Sequence, residues 1–263
     1  MSEPRTLAPF GRRLGVVEAN EFVGSYTFLR CADPEGPAPH PGQFYMLAAA
    51  ERWGGGEGER PYLPRAFSYL RHRPGQLEFL LEDVGPGTQR LKRMLPGERI
   101  WLLGPLGRGF ESPQDDRRPL LVGGGVGIVP LVPWQEQLRR APALLGFRDF
   151  GHAQAAGLMR NVAVATDDGS EGHHGLVTEL LAAELERDRH VELYACGPPA
   201  MLEAIRVMAG EGGVPAQLAL ESGMACGFGA CFGCVVPTRG GYVRTCVDGP
   251  VLPAAELEAV PAH

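Results

Sequence analysis

The 263-residue sequence predicts a β + α/β protein: an N-terminal antiparallel β-barrel, a doubly wound parallel-sheet domain and a small C-terminal cysteine-bearing module. Three observations predict it. Between Arg12 and Pro105, short runs of β-branched, aromatic or alternating apolar residues are separated by turn residues, with no long helical period. After Pro119 the period changes, and apolar runs alternate with helical stretches, as when crossover helices bury a parallel sheet on both faces. Finally, four of the six cysteines fall between Cys226 and Cys246. The chain divides on these changes at 1–113, 114–216 and 217–263.

The 44% hydrophobic content with 37 glycines and 24 prolines describes a loop-rich globular chain rather than a disordered one. A net charge of −6 and the lack of any basic run argue against a nucleic-acid partner. The first thirteen residues are charged without an apolar core, so no signal peptide is expected. The longest uncharged run, 119–134, is broken by glycine and proline and is too short to cross a bilayer. The expectation is a cytoplasmic protein without a membrane partner, whose thiols stay reduced.

In the first region strands are expected at 14–19, 25–31, 43–49, 66–71, 76–82 and 99–103. Loops dense in glycine and proline lie at 34–42 and 52–64, and about six antiparallel strands without long helices suggest a small closed barrel. Two pieces look chemical. Arg65-Ala66-Phe67-Ser68 sets a fork-shaped cation, an aromatic and a hydroxyl on one strand, a set suited to a pyrophosphate beside a flat ring. Gly85, Gly87 and Thr88 precede a short helix at 89–94, where glycine amides and a hydroxyl can seat an anion. An edge-strand ion pair for Arg65 and an ordinary turn at Gly85–Gly87 explain the same residues. Gly104–Gly107 reads as a turn closing the region.

The middle region has strands at 120–122, 144–147, 162–165, 191–196 and 217–220, with the clearest helices at 176–186 and 199–208. Ligands of such a sheet lie at the carboxyl ends of its strands. There stands Gly123-Gly124-Gly125-Val126-Gly127-Ile128-Val129-Pro130, with Pro130 expected to open a helix. A plain strand–helix turn is the alternative. Arg148 and Asp149 pull in opposite directions, one toward a 2′-phosphate and the other toward a free 2′-hydroxyl. Cys196-Gly197-Pro198 follows the fourth strand, 191–196, at the same sheet edge as Gly125. His173 and His174 are expected at the surface.

The cysteines Cys226, Cys231, Cys234 and Cys246 have the spacing C-x4-C-x2-C-x11-C, whose first part is that of plant-type [2Fe–2S] ligation. Gly227, Gly229 and Gly233 let the backbone turn tightly and aim N–H groups at sulfur. Zinc, disulfides and buried free thiols remain alternatives. A zinc knuckle more usually shows two C-x2-C pairs.

Taken in order, Arg-x-x-Ser, Gly-x-Gly-Thr, Gly-Gly-Gly-x-Gly-x-x-Pro and Cys-Gly-Pro-Pro resemble the ferredoxin–NADP reductase superfamily. The C-terminal Glu-x-x-Met-x-Cys-Gly-x-Gly-x-Cys-x-Gly-Cys resembles the electron-transfer subunits of type B dihydroorotate dehydrogenase, as does Thr166-Asp167-Asp168-Gly169-Ser170 with Gly172 and Gly175. The resemblance implies a flavin-binding barrel, a nucleotide-binding sheet and an iron–sulfur module. FAD would meet Arg65, Ala66, Phe67 and Ser68, the backbone of Leu80, Leu81 and Glu82, and Gly87 and Thr88. NAD(H) would bind transiently at Gly124, Gly125, Gly127, Cys196, Gly197 and Pro198. The four cysteines would carry the cluster, and no side chain would act as acid or base. Ala66 and Tyr69 depart from the family's usual proline and aliphatic, which implies a less rigid strand.

The function so implied is conversion between hydride and single electrons. A partner subunit carrying FMN would oxidise dihydroorotate to orotate in pyrimidine biosynthesis, in a heterotetramer of two plus two subunits, with NAD+ as the final acceptor. The rivals are a reductase subunit serving a hydrogenase, a sulfite reductase or a ferredoxin-linked NADP enzyme, and a zinc-stabilised module with no catalytic role.

Overall fold

The computed structural model describes residues 12–51, 63–114, 116–139 and 141–261. Most of the loop expected at 52–64 lies outside them. Strands β1 (Arg13–Val23), β2 (Tyr26–Ala32), β3 (Phe44–Ala49), β4 (Arg65–Ser68), β5 (Arg71–Arg73), β6 (Gln76–Leu81) and β7 (Arg99–Leu106) form one antiparallel sheet. Their spatial order is β4-β3-β7-β1-β2-β6-β5. The run expected as one strand at 66–71 is therefore two, on opposite edges of the sheet. Tyr69 and Leu70, both buried, carry the chain between those edges, so the sheet must curl to bring them together. Continuous apolar character hid the break. Among the described residues no ladder joins β4 to β5 or β6, and the expected closed barrel is a curled sheet, a half-barrel.

The short helix α1 (Pro86–Lys92) starts earlier than expected because Pro86, with its preset φ, occupies the first turn. Residues 104–106, expected as a closing turn, continue β7.

The second sheet holds β8 (Arg118–Gly124), β9 (Ala143–Phe147), β10 (Val162–Thr166), β11 (His173–His174), β12 (Val191–Cys196) and β13 (Ala216–Ala219). After a hairpin of β14 (Val235–Thr238) and β15 (Gly241–Arg244), β16 (Val251–Pro253) joins as the antiparallel edge, giving β11-β10-β9-β8-β12-β13-β16. Every residue of β12 is buried, as a central strand covered on both faces requires. Helices α2 (Leu131–Gln137), α3 (Phe150–Ala153), α4 (Val177–Arg187) and α5 (Pro199–Gly212) complete this layer. In α4, Val177, Leu181 and Leu185 are buried at four-residue spacing, one apolar stripe against the sheet. Gly213 ends α5 with φ 63, a left-handed cap that glycine adopts without Cβ strain.

One hydrophobic core joins the sheets. Tyr26, Phe28, Leu70 and Leu80 of the first pack with Leu121 and Tyr194 of the second, with Ile128 and Trp134 beside it and with Phe110 of the connection between the sheets. Polar ties reinforce the junction: the Ser25 N–H donates to the Gly151 carbonyl at 3.0 Å, and Arg71 pairs with Glu136 at 2.7 Å. A shared core of this kind fixes the angle between the sheets, unlike the small polar contacts that let domains rock. The cysteine region packs on both: Cys234 and Cys246 on Phe44, Met46 and Leu106, and Val236 and Leu257 on the second core.

Candidate functional site: two cavities and a cysteine loop

The glycine run after β8 turns into a short 3-10 segment, Gly125–Ile128, before α2. Pro130 is consequently the residue before the helix and not its first. Two glycines here answer close approaches. A Cβ on Gly127 would lie 2.6 Å from the Cys196 carbonyl oxygen, and one on Gly124 would lie 2.6 Å from the Met201 sulfur. Gly125 has φ 54, which places its backbone in the left-handed region. The ladder pairs Cys196 with Gly123, so the glycine run and Cys196-Gly197-Pro198 meet at one sheet edge.

That edge opens on a cavity of about 590 Å³ lined by Gly124, Gly125, Arg148, Asp167, Pro198 and Met201, with Tyr26, Glu82 and His152 contributed from other elements. Arg148 reaches across to the Glu82 carboxylate, an ion pair between the end of β9 and the end of β6. Asp149 begins α3 by accepting the His152 backbone N–H at 3.0 Å and its Nδ1 at 2.7 Å. Its carboxyl titrates below the usual range because of the hydrogen bonds from the His152 ring and then its backbone. The two residues that pull toward different nucleotides are thus both engaged within the protein.

A second cavity of about 340 Å³ lies between the sheets, lined by Ala66, Phe67, Ser68, Leu80 and Thr88 on one side and by Gly127, Pro130 and Cys196 on the other. Arg65 lies across Gly87, where a Cβ would stand 2.8 Å from Nε. The Thr88 hydroxyl accepts the Val84 and Gly85 N–H groups at 3.0 Å each and donates to the Gly85 carbonyl at 2.8 Å, shaping the turn. Leu81 points away into the core of the first sheet. Cys196 is buried, and burial raises its thiol well above the ordinary value. Glu82, Val126 and Glu221 line both cavities and form the wall between them.

Ser222 and Met224, at the start of the cysteine loop, line the smaller cavity. In that loop Gly227 and Gly229 have φ 80 and 87, turning the backbone around the Cys226 sulfur. Cys226 Sγ accepts N–H groups from Ala230 at 3.3 Å and Cys231 at 3.4 Å, and Cys231 Sγ accepts that of Gly233 at 3.4 Å. Burial opposes ionisation of Cys226, yet the surrounding N–H donors outweigh it and lower the thiol to about 7. Burial and then Cys234 raise Cys246 to about 12. Among the described residues no three metal-ligating side chains converge on one point; Cys226 has Cys231 as its side-chain neighbour and Cys246 has Cys234, with Cys226 also acting on Cys246. A pair per iron is the demand of a cluster with two irons and four cysteine ligands. The residues fit that group.

Sequence reasoning missed Tyr26, His152, Val126 and Glu221 in these walls. Tyr26 and Val126 carry no local signal, since each occupies an ordinary apolar position; Glu221 had one in its place at the head of the cysteine motif. His173 and His174 lie exposed at the sheet edge, with His173 Nε2 2.6 Å from Glu179.

A curled antiparallel sheet fused to a parallel sheet, with cavities at the junction, is an architecture of the ferredoxin–NADP reductase type. A solved NADH-dependent reduced ferredoxin-NADP oxidoreductase is similar to this chain, with a TM-score of 0.79 and 26% identity, over 95% of this chain and 92% of the other. Residues 221–258 match the iron–sulfur cluster binding domain of dihydroorotate dehydrogenase B. The electron transfer subunit of dihydroorotate dehydrogenase B (NAD(+)) from Caldanaerobacter subterraneus is 35% identical, over 92% of this chain and 96% of the relative. That from Geobacillus kaustophilus is 38% identical, over 82% and 86%. The chain belongs to the family of electron-transfer subunits of dihydroorotate dehydrogenase B, and its C-terminal module is an iron–sulfur one rather than a zinc knuckle. Among the described residues no helix is long and apolar enough to cross a membrane.

Proposed function

We propose that this chain passes reducing equivalents from a dihydroorotate-oxidising, FMN-containing partner subunit to NAD+ in the cytoplasm, using FAD and a [2Fe–2S] cluster. The observation that carries the proposal is the serial order of the sites. The cavity at the glycine run shares a wall with the cavity between the sheets, and the cysteine loop begins at the edge of the second. The three units are 1–113 for FAD, 114–216 for NAD(H) and 217–263 for the cluster. Together the bound groups supply exchange between hydride and single electrons, which no side chain of this chain can provide.

The chain's own residues position and exclude. Arg65, over Gly87, offers a bidentate cation to a pyrophosphate. Ala66, Phe67 and Ser68, with the backbone of Leu80 and Glu82, form one wall for a flat ring, and Gly127 and Cys196 the other. Gly124, Gly125 and Pro198 admit a dinucleotide close to the backbone. Cys226, Cys231, Cys234 and Cys246 hold the irons, and the N–H groups of Ala230, Cys231 and Gly233 stabilise thiolate charge.

The partner docks at the cysteine loop, as the exposure there supports. Phe228 and Phe232 are 54% and 63% exposed and flank Cys231, which is itself exposed. Arg244 lies over the Phe232 ring at 5.2 Å, and one face of the hairpin continues the surface through Val235 to Tyr242. Two such subunits with two catalytic subunits make the assembly. The test is anaerobic: dihydroorotate added to the co-purified complex should bleach flavin and cluster absorption, and NAD+ should restore both. A complex whose spectrum does not respond to dihydroorotate rules the proposal out.

A further inference from the structure

Among the described residues, the wall of the larger cavity holds one buried side-chain hydroxyl without a hydrogen-bond partner. Tyr26 on β2 is fully buried and forms part of the cavity wall, and its hydroxyl has no hydrogen-bond partner. Tyr45 and Tyr194 share that condition, but neither lines this cavity or its neighbour. The ring is fixed in place. It stands edge-on to the His152 imidazole, with centroids 5.3 Å apart, and His152 is held in turn by Asp149.

The hydroxyl faces Gly125. A Cβ built on that glycine would lie 3.8 Å from the hydroxyl oxygen and within 4 Å of no other atom. The backbone there has φ 54 and no side chain to keep a ligand off. Phenylalanine would fill the same space without an unpaired oxygen, which costs stability when buried. Burial, reinforced by Glu82 and then opposed by Arg148, raises the phenol, so the hydroxyl stays protonated and can donate. Of the carboxylates that line the cavity, Glu82 is paired with Arg148; Asp167 and Glu221 line it too.

We propose that Tyr26 is a nucleotide-binding residue, its hydroxyl donating to a phosphate oxygen of the dinucleotide seated against Gly124 and Gly125. This rests on the assignment of the larger cavity to NAD(H). The unpaired hydroxyl of the free protein is then satisfied by the ligand, and the first sheet takes part in binding a nucleotide otherwise held by the second.

The experiment uses Tyr26→Phe in the holoprotein, which removes one oxygen and leaves the ring. NADH oxidation is followed with an artificial dye, with ADP-ribose as competitive inhibitor because it keeps the diphosphate and lacks nicotinamide. KM for NADH and the inhibition constant of ADP-ribose should both rise about tenfold, the loss expected for a hydrogen bond to a charged acceptor. The change should fall on KM more than on kcat. Flavin content should hold, and the melting temperature without nucleotide should stay level or rise. Unchanged ADP-ribose inhibition overturns the phosphate contact, whether or not the KM for NADH moves. Failure of the wild-type protein to oxidise NADH at all would instead remove the nucleotide assignment itself.

Discussion

Two glycine-rich loops serve this molecule, and they differ in what braces them. At the end of β8, Gly124 and Gly127 make room for the protein: Met201 and the Cys196 backbone occupy the space a Cβ would need. That loop is braced by two strands, and its shape is a property of the packed core. In the cysteine loop Gly227 and Gly229 supply handedness as well as room: they have φ 80 and 87, a Cβ on them would lie 2.5 Å from Met46 and 2.7 Å from Val247, and N–H donors to sulfur at 3.3–3.4 Å brace the turn. The nucleotide edge is thus built by the fold, whereas the cysteine loop is shaped by N–H groups aimed at sulfur. Damage to the first should register as stability, and damage to the second as lost electron transfer.

The largest effect separates the two regions. Cys231→Ser should cut transfer from the partner to NAD+ by more than about a hundredfold, since changes in the outer shell of a metal site alone cost roughly ten- to a hundredfold. Oxidation of NADH by dyes should persist, because the glycine run and the cavity between the sheets contain no atom of Cys231. Parallel loss of both activities would show that the regions are one cooperative unit.

Gly127→Ala tests the other loop. The added methyl would stand 2.6 Å from the Cys196 carbonyl oxygen and from Gly197 N, backbone atoms that cannot rotate away. Overpacking of this kind costs about 1–3 kcal/mol. The variant should melt earlier in denaturant and bind NADH more weakly, while keeping its iron. An alanine variant as stable as the wild type would mean that β8 and β12 can separate more freely than the shared core allows.

How far the sequence was legible follows the same division. The parallel strands were readable because burial on both faces makes them continuous apolar runs, as in β12. The cysteine spacing was readable because ligation imposes an order on the chain. Tyr69 and Leu70 were not, because nothing local marks a passage from one sheet edge to the other when both residues are simply buried. The wall between the cavities was equally hidden. Glu82 meets Arg148 only through the angle between the two sheets, and Tyr26 reaches Gly125 for the same reason. Such contacts depend on tertiary placement and leave no period or spacing behind.

The smallest effect concerns the place where the chain beyond the cysteine module is tied back to the parallel sheet. Glu203 on α5 takes a forked pair of bonds from Arg206, at 2.8 and 2.7 Å, and accepts the Val260 N–H at 2.9 Å. The Arg206 hydrogen bonds, against some burial and with help from Val260, lower its carboxyl to about 2. A depressed carboxylate stabilises the fold fully above its unfolded value of about 4.3 and loses that contribution as pH falls through the folded value. Its side chain is 35% exposed, so solvent screening keeps the contribution at or below about 1 kcal/mol. Glu203→Gln should therefore lower stability slightly at pH 7, and the difference from wild type should shrink between about pH 4 and pH 2. Urea titrations at pH 7 and near pH 2 provide the measurement. A difference that persists undiminished at the acid end would place the stabilisation in packing around α5, and the C-terminal tie would then belong with the β8 edge as a feature of the core.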